Sequence, residues 1–289
     1  MVGLRNCVGL ALAVVAAMAT ACTPQGVPVS ERQSTSLAQA RCALIRGSPP
    51  RSSSTAPQVD AAAIAAGVRR SAEVVSAIVF DRSAERYLLA EQPDRHYQSA
   101  SLVKLLIALD VLARPPVDEP TRARIGSMLA ASDDAEASAF WAAGGGGSIV
   151  RRMAAELGLS ATPPAVDGDW GYTMISAQDV LVVYRHIAVR LAVADRELIL
   201  SALRGTPRTA ADGVDQHFGI PDGLPGRPWA IKQGWSSGHG VVSAHSTGLV
   251  GTSDRYVVVL MTEHRAAVGF AAAMRAATDA TGMLAPLLA

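Results

Sequence analysis

The spacing of apolar residues divides the chain into helices and strands from residue 59 onward. Helical spacing recurs over residues 59–71, 101–112, 121–131, 135–143, 149–157, 180–193, 197–203 and 267–283. Runs rich in β-branched residues predict strands at 74–81, 86–91, 228–235, 241–251 and 256–262. Two early strands, three late strands and helices between them imply one antiparallel sheet built from both ends of the domain. We therefore predict an α/β fold of the α+β type, with a five-stranded antiparallel sheet flanked by helices and an all-helical subdomain beside it.

The first 22 residues have the features of an export signal. Arg5 supplies a positive charge, residues 8–18 form an apolar run, and small residues precede Cys22. This arrangement resembles a bacterial lipobox, in which the cysteine thiol is diacylated, although Ala19 stands where leucine is usual. Plain secretion with an incidental cysteine is the alternative. We favour lipidation of Cys22, because that cysteine falls at the cleavage point.

The chain then has three parts: a signal peptide at 1–21, a lipid-anchored flexible linker at 22–58, and a folded domain at 59–289. The linker is rich in Pro, Ser and Gly and has little periodicity, as expected of a tether. We predict an exported lipoprotein on the outer face of the cytoplasmic membrane. With Cys7 removed and Cys22 acylated, Cys42 would be left with no partner for an internal disulfide.

Composition excludes several classes of function. The chain has 289 residues, of which 49% are hydrophobic and 18% charged, with a formal net charge of +1. No basic surface is indicated, and aromatic residues make up only 4%, so nucleic acid is not an expected partner. The six histidines have no metal-ligand spacing. We therefore expect no metal and no cofactor, and we expect a monomer.

Ser101 and Lys104 lie one helical turn apart at the start of the predicted helix 101–112. At this spacing the lysine amine can reach the serine hydroxyl, and the helix N-terminus offers N–H groups to a developing negative charge. The motif alone is weak, because Ser-x-x-Lys is common at helix starts. Of the 26 basic residues, however, only Lys104 and Lys232 are lysines. Arginine cannot lose its proton in a protein, so two retained lysines indicate roles that arginine cannot fill.

Three motifs follow one another along the domain: Ser101-Leu-Val-Lys104, Ser132-Asp-Asp134 and Lys232-Gln-Gly234. Their order resembles the motif set of class A β-lactamases and penicillin-binding proteins. The chain is most similar to mycobacterial alanine-rich lipoproteins with a β-lactamase-like domain, through Ser-Asp-Asp and the stretches 217–223 and 232–235. The resemblance covers about residues 60–289 and implies a β-lactamase-like fold, here with a trimmed helical subdomain, because the first two motifs are unusually close together.

The resemblance implies a role for each motif residue. Ser101 would attack an amide or lactam carbonyl, and Lys104 would take its proton. Ser132 would relay a proton to the leaving nitrogen, and Lys232 would hold a substrate carboxylate. The backbone N–H groups of Ser101 and Trp235 would form the oxyanion hole.

The chain departs from the family pattern within two of the motifs. Asp134 replaces the usual Asn, and a carboxylate close to Lys104 favours the ammonium form, which opposes its use as a base. Gln233 replaces the usual Thr. Gly234 is retained, and we expect it to let the substrate lie close against its strand.

A third departure concerns removal of the acyl group. The loop 159–173 contains no Glu, and the only Asn of the chain is Asn6, so the residues that position the deacylating water in class A enzymes have no counterparts. Asp167 and Asp169 are the acids of this loop and remain candidates with a shorter reach. We expect slow or absent deacylation.

Two functional hypotheses result. The first is a serine hydrolase that forms an acyl-enzyme through Ser101 on a β-lactam or a peptidoglycan stem peptide. The second is a binding or scaffolding lipoprotein that keeps the fold and has lost the chemistry. Each motif also has an ordinary structural reading: Ser132-Asp-Asp134 as a helix cap, and Lys232 as a charge at a strand edge.

Overall fold

The computed structural model describes residues 59–114, 116–166 and 168–289. Its strands are β1 (Val74–Asp81), β2 (Arg86–Glu91), β3 (His96–Gln98), β4 (Met174–Ser176), β5 (Trp229–Gly238), β6 (Val241–Val250) and β7 (Tyr256–Arg265). Its helices are α1 (Ala61–Arg69), α2 (Val103–Leu112), α3 (Glu119–Ala130), α4 (Asp134–Ala143), α5 (Gly147–Leu157), α6 (Ala177–Val189), α7 (Val193–Arg204), α8 (Ile220–Gly223) and α9 (Phe270–Met283). The predicted signal peptide and linker, with Cys22 and Cys42, lie outside the described residues, as does Asp167.

Five strands form one antiparallel sheet in the order β2-β1-β7-β6-β5. Strands from the two ends of the domain meet where β1 pairs with β7 along its whole length, from Val74 opposite Glu263 to Asp81 opposite Tyr256. The predicted fold class is confirmed. Strand β5, which carries the third motif, is an edge strand with one free side.

Two apolar cores lie on the opposite faces of this sheet. One contains α2 through α7, with Leu106, Ile107 and Tyr184 among its fully buried side chains. The other packs α1, α8 and α9 against the sheet and includes Ala277 and Leu284. Helix α2 lies inside the first core, because all its residues except Val111 are buried. A helix that is buried all round needs apolar residues all round, which explains why its sequence is nearly continuous in hydrophobicity.

Two details differ from the sequence-based prediction. Ser101 lies in a 3-10 turn, Ala100–Leu102, and the α-helix begins only at Val103. The short strands β3 and β4 pair in a separate two-stranded sheet. With three residues each, these strands are too short to give an alternating pattern.

The first residues of the loop between α5 and α6 are held by the buried carboxylate of Asp179. Asp179 accepts hydrogen bonds from the Ser160 N–H at 3.2 Å, the Ala161 N–H at 2.8 Å and the Thr162 hydroxyl at 2.6 Å. Farther along, the Trp141 indole donates to the Gly168 carbonyl at 3.0 Å. These bonds fix the segment that approaches the three motifs. Among the described residues, no helix is both long and apolar enough to cross a bilayer.

Candidate active site

The turn that carries Ser101 is held between the sheet edge and the α5–α6 loop. Ala100, which precedes Ser101 in this turn, has φ of +44°, a backbone conformation that costs a non-glycine residue about 1–3 kcal/mol. The Ser99 N–H donates to the Thr173 carbonyl at 2.7 Å, which ties the turn to the loop. The turn points the Ser101 side chain into a cleft, although only 5% of this residue is exposed.

Lys104 is fully buried beneath Ser101. Its Nζ lies 2.8 Å from Ser101 Oγ, 2.8 Å from the Ser132 carbonyl oxygen and 3.2 Å from Ser132 Oγ. It also forms an ion pair at 2.5 Å with Asp134, whose side chain is 61% exposed. The amine therefore joins the first motif to Ser132 and Asp134 of the second.

Ser132 and its neighbour Asp133 make different hydrogen bonds at the start of α4. Asp133 caps α4 by accepting from the Ala135 and Glu136 N–H groups at 2.9 and 3.2 Å. Ser132 has φ of +55° and makes no cap. Its hydroxyl instead accepts from Lys232 Nζ at 2.9 Å. The helix-cap interpretation therefore holds for Asp133 alone, and the Ser132 hydroxyl lies between two lysine amines.

The pKa values of both lysines are lowered from their usual range. Burial lowers the pKa of Lys104, and the bond to Asp134 opposes this effect without cancelling it. Burial lowers the pKa of Lys232 further, and the nearby charge of Lys104 adds to the effect. As the sequence indicated, Asp134 raises the pKa of Lys104. Desolvation of the buried amine lowers this pKa by a larger amount.

Gly234 has a structural role that the sequence did not indicate. A Cβ atom at this position would lie 3.0 Å from the Ser99 carbonyl oxygen, 3.2 Å from Leu102 Cγ and 3.4 Å from His245 Cδ2. The side that lacks a side chain therefore faces the Ser101 turn. The glycine lets β5 pack closely on this turn. Its expected contact with substrate stays a prediction.

The Gln233 side chain is used inside the protein. Its Nε2 donates to the Gln216 and Phe218 carbonyls at 3.2 and 2.5 Å, and its Oε1 accepts from the Thr247 N–H at 3.3 Å. The residue is 1% exposed. It therefore takes no part in lining the cleft, where the Thr of the family motif would offer a hydroxyl.

The backbone of β5 directs alternate groups toward the free edge beside Ser101. The Lys232 carbonyl accepts from Thr247 Oγ1 at 2.6 Å and so faces β6. The Gln233 carbonyl accepts from Lys232 Nζ at 3.0 Å and so faces the free edge. Because antiparallel strands alternate the direction of their backbone groups, the Trp235 N–H points to the same free edge as the Gln233 carbonyl.

The α5–α6 loop places an aromatic ring at the lysine. The centroid of the Trp170 ring lies 4.7 Å from Lys104 Nζ, and its indole N–H donates to Ser138 Oγ at 3.2 Å. Asp169 accepts from the Gly171 N–H at 2.9 Å, capping the turn that holds this ring. Asp169 also lines the cleft, whereas Asp167, the other candidate acid, lies outside the described residues.

These elements enclose a cleft of about 320 Å³. It is lined by Ala100, Ser101, Asp134, Asp169, Trp170, Gly171, Tyr172, Asp212, Trp235 and Ser236. The buried lysines and Ser132 lie behind this lining. Across the described residues, no group of three His, Cys, Asp or Glu side chains is arranged to hold a metal ion.

Solved structures share this fold at low sequence identity. A β-lactamase from Chitinophaga pinensis matches with a TM-score of 0.64 and 16% identity, over 79% of this chain and 98% of its own. A second β-lactamase, from Desulfarculus baarsii, matches with a TM-score of 0.60 and 18% identity, over 78% and 98% of the two chains. The penicillin-binding protein PBP-A matches with a TM-score of 0.61 and 17% identity, over 78% and 94%. These likenesses confirm the β-lactamase-like fold.

The sequence relatives are mycobacterial. "Putative lipoprotein LppW" of Mycobacterium tuberculosis is 32% identical over 228 residues, which cover 73% of this chain and 72% of LppW. The protein of the same name from Mycobacterium bovis matches equally. This chain belongs to the LppW family. No protein-family model matches it. The predicted resemblance to mycobacterial lipoproteins with a β-lactamase-like domain is confirmed.

In this LppW-family chain, the sequence indicated the polar centre of the site and part of the cleft lining, namely Ser101, Asp134, Asp169 and Trp235. The structure brings Ser101, Lys104, Ser132, Asp134 and Lys232 together, as predicted. The cleft residues Trp170, Tyr172 and Asp212 were not predicted, because they lie in irregular loops where no periodic pattern indicates direction. The only available signal was the position of Trp170, which directly follows one of the two acids singled out in its loop.

Gly234→Ala tests the packing between β5 and the Ser101 turn. The added methyl group forces the strand away from the Ser99 carbonyl, so we expect the free energy of unfolding in urea to fall by about 1–3 kcal/mol. Gly126→Ala, in α3, is the matched control, because its Cβ would meet only Leu198 Cδ1, at 4.0 Å. The control is expected to be neutral or up to ~1 kcal/mol more stable. Equal stability of the two variants would contradict this role for Gly234.

Proposed function

We propose that this LppW-family domain is a serine acyl-transfer enzyme of the cell envelope that forms an acyl-enzyme through Ser101. The observation that carries the proposal is the convergence of Lys104 Nζ on Ser101 Oγ at 2.8 Å, with the Ser132 hydroxyl between Lys104 and Lys232. A nucleophile, a base of lowered pKa and a second proton-carrying hydroxyl are thus in hydrogen-bond contact.

In the proposed reaction, Ser101 Oγ bonds to the carbonyl carbon of an amide or lactam while its proton passes to Lys104 Nζ. The oxyanion formed is stabilised by the N–H groups of Ser101 and Trp235. When the C–N bond breaks, the Ser132 hydroxyl gives its proton to the leaving nitrogen and recovers one from the Lys104 ammonium. The product is an ester at Ser101. From an amide the amine leaves with its proton, whereas from a lactam the protonated nitrogen stays attached to the acyl group through the opened ring.

We propose that hydrolysis of this ester is slow. The support is the Trp170 ring, which lies 4.7 Å from Lys104 Nζ on the side of the α5–α6 loop, where class A enzymes carry a Glu that activates water. An indole has no group that can accept a proton from water. Asp169 lies in the same loop and caps its turn.

A binding or scaffolding role is the second candidate, and the third motif favours it. Lys232 is 1% exposed, and its amine contacts the Ser132 hydroxyl and the Gln233 carbonyl. Gln233 is engaged with buried backbone groups. Neither side chain reaches the cleft surface, where the family motif would hold a substrate carboxylate.

We further propose that the protein is tethered to the outer face of the cytoplasmic membrane. The support is the lipobox-like sequence that ends at Cys22, together with the word lipoprotein in the name of the LppW relatives. Signal cleavage after residue 21 would leave the acylated cysteine at the start of the linker 22–58. The catalytic domain 59–289 would then face the cell wall.

Intact-mass analysis of the purified domain tests acylation directly. We expect an adduct on Ser101 with an uncharged p-nitrophenyl ester, and absence of this adduct in Ser101→Ala. Penicillin is incubated in parallel as a lactam donor. If the ester, penicillin and a stem peptide all leave Ser101 unmodified between pH 6 and 10, acyl transfer is excluded and the binding role stands.

Asp134→Asn is expected to speed acylation at neutral pH. Only neutral Lys104 can accept the serine proton, so the rate rises with pH through the pKa of this lysine. Removing the carboxylate charge lowers that pKa further and moves the pH–rate profile to lower pH. At a pH below the pKa, each unit by which the pKa falls raises the rate roughly tenfold. The control is Asp279→Asn, an equal charge change on the far face of the sheet. A slower Asp134→Asn enzyme with an unshifted profile would contradict Lys104 as the base.

Trp170→Glu is expected to shorten the lifetime of the acyl-enzyme. The new carboxylate lies beside Lys104 and can activate a water molecule, which contributes on the order of 100-fold in favourable cases. Trp170→Phe keeps an aromatic ring and should keep the long lifetime. The measurement is the loss of adduct mass with time after excess donor is removed. Equal lifetimes in the two variants would show that the ring does not limit hydrolysis.

A further inference from the structure

The walls of the cleft beside Ser101 carry negative charge. Asp134, Asp169 and Asp212 line the cleft, and no Lys, Arg or His of the described residues does. Asp212 is exposed, and its Oδ2 accepts from the Trp235 indole N–H at 2.9 Å, which fixes the carboxylate beside the aromatic ring. Asp134 keeps 61% of its side chain exposed despite its ion pair.

Aromatic rings form a second part of the same lining. Trp170, Tyr172 and Trp235 contribute to the cleft surface. The electron-rich faces of such rings attract cations and do not attract carboxylates. Carboxylates and aromatic rings are different chemical groups, and both favour a positively charged ligand.

The two lysines do not reverse this preference. Lys104 is fully buried and Lys232 is 1% exposed, and the amine of each is engaged by the contacts described above. Burial lowers the pKa of each, which disfavours the charged form of both amines. A ligand in the cleft therefore meets the carboxylates first.

We propose that the cleft selects acyl donors that carry a cationic group, such as an ammonium, close to the reacting carbonyl, and that it disfavours donors carrying a carboxylate or sulfonate there. This inference rests on the proposed acyl transfer at Ser101 and specifies the substrate class. It differs from the carboxylate recognition that the family motifs imply, because the residues that would bind a carboxylate are buried here. The cationic group would lie between Asp134 and Asp212, against the Trp235 ring.

Three p-nitrophenyl esters of similar shape test the proposal. Their acyl chains are 4-(trimethylammonio)butyrate, 5,5-dimethylhexanoate and 4-sulfobutyrate, so the end group is cationic, neutral or anionic. Acylation forms the Ser101 ester and releases p-nitrophenolate, whose absorbance gives the rate after subtraction of the Ser101→Ala background. At low salt we expect the cationic ester to react at least ~10-fold faster than the anionic one, and the difference to shrink in 0.5 M NaCl.

The decisive variant is Asp212→Asn, which keeps the shape of an exposed residue. We expect it to reduce the cation preference roughly threefold, while Asp279→Asn leaves the preference unchanged. A neutral ester that acylates Ser101 without any advantage for the cationic ester would overturn the inference and leave the acyl-transfer proposal standing.

A binding measurement separates the two proposals. The three corresponding carboxamides are titrated into the Ser101→Ala variant, and tryptophan fluorescence reports their affinities. If no ester acylates Ser101 but the cationic amide binds most tightly, acyl transfer fails and the charge preference holds. Equal binding of the three amides together with absent acylation would overturn both.

Discussion

Two lysine amines are buried against one serine hydroxyl, and the surrounding structure is arranged to make that burial tolerable. The Ser132 hydroxyl lies 3.2 Å from Lys104 Nζ and 2.9 Å from Lys232 Nζ. An isolated ammonium in such a place would be strongly destabilising, so it must be hydrogen-bonded, paired or neutral. Carbonyl oxygens of Ser132 and Gln233 and the carboxylate of Asp134 meet part of this demand. A lowered pKa meets the rest.

Two strained residues and one glycine lie around this site. Ser132 adopts a positive φ so that its hydroxyl and its carbonyl can both face Lys104. Ala100, directly before Ser101, also has a positive φ, and Gly234 allows the edge strand to approach that turn. The two residues with positive φ cost stability locally, and the two apolar cores that hold α2 and β5 in place compensate for this cost.

The sequence predicted the fold and the polar centre for identifiable reasons. Strand patterns at both ends of the domain determined the sheet, and the restriction of lysine to Lys104 and Lys232 singled out the site. The direction of individual side chains could not be predicted. Gln233 and Gly234 occupy adjacent positions of a motif, and the contacts of both with other parts of the protein were not predicted. Trp170 and Asp212 reach the cleft from loops, whose paths depend on tertiary contacts such as those of Asp179.

Because the chain has only two lysines, their titration can be measured directly. Nuclear magnetic resonance of protein labelled only at lysine with 13C and 15N would give two side-chain signals, assigned with Lys104→Arg and Lys232→Arg. We expect both lysines to titrate below the usual value of 10.5. We also expect Asp134→Asn to lower the pKa of Lys104 further. Two lysines that titrate at the usual value, unaffected by Asp134→Asn, would contradict the claim that burial lowers the pKa of Lys104, the proposed base.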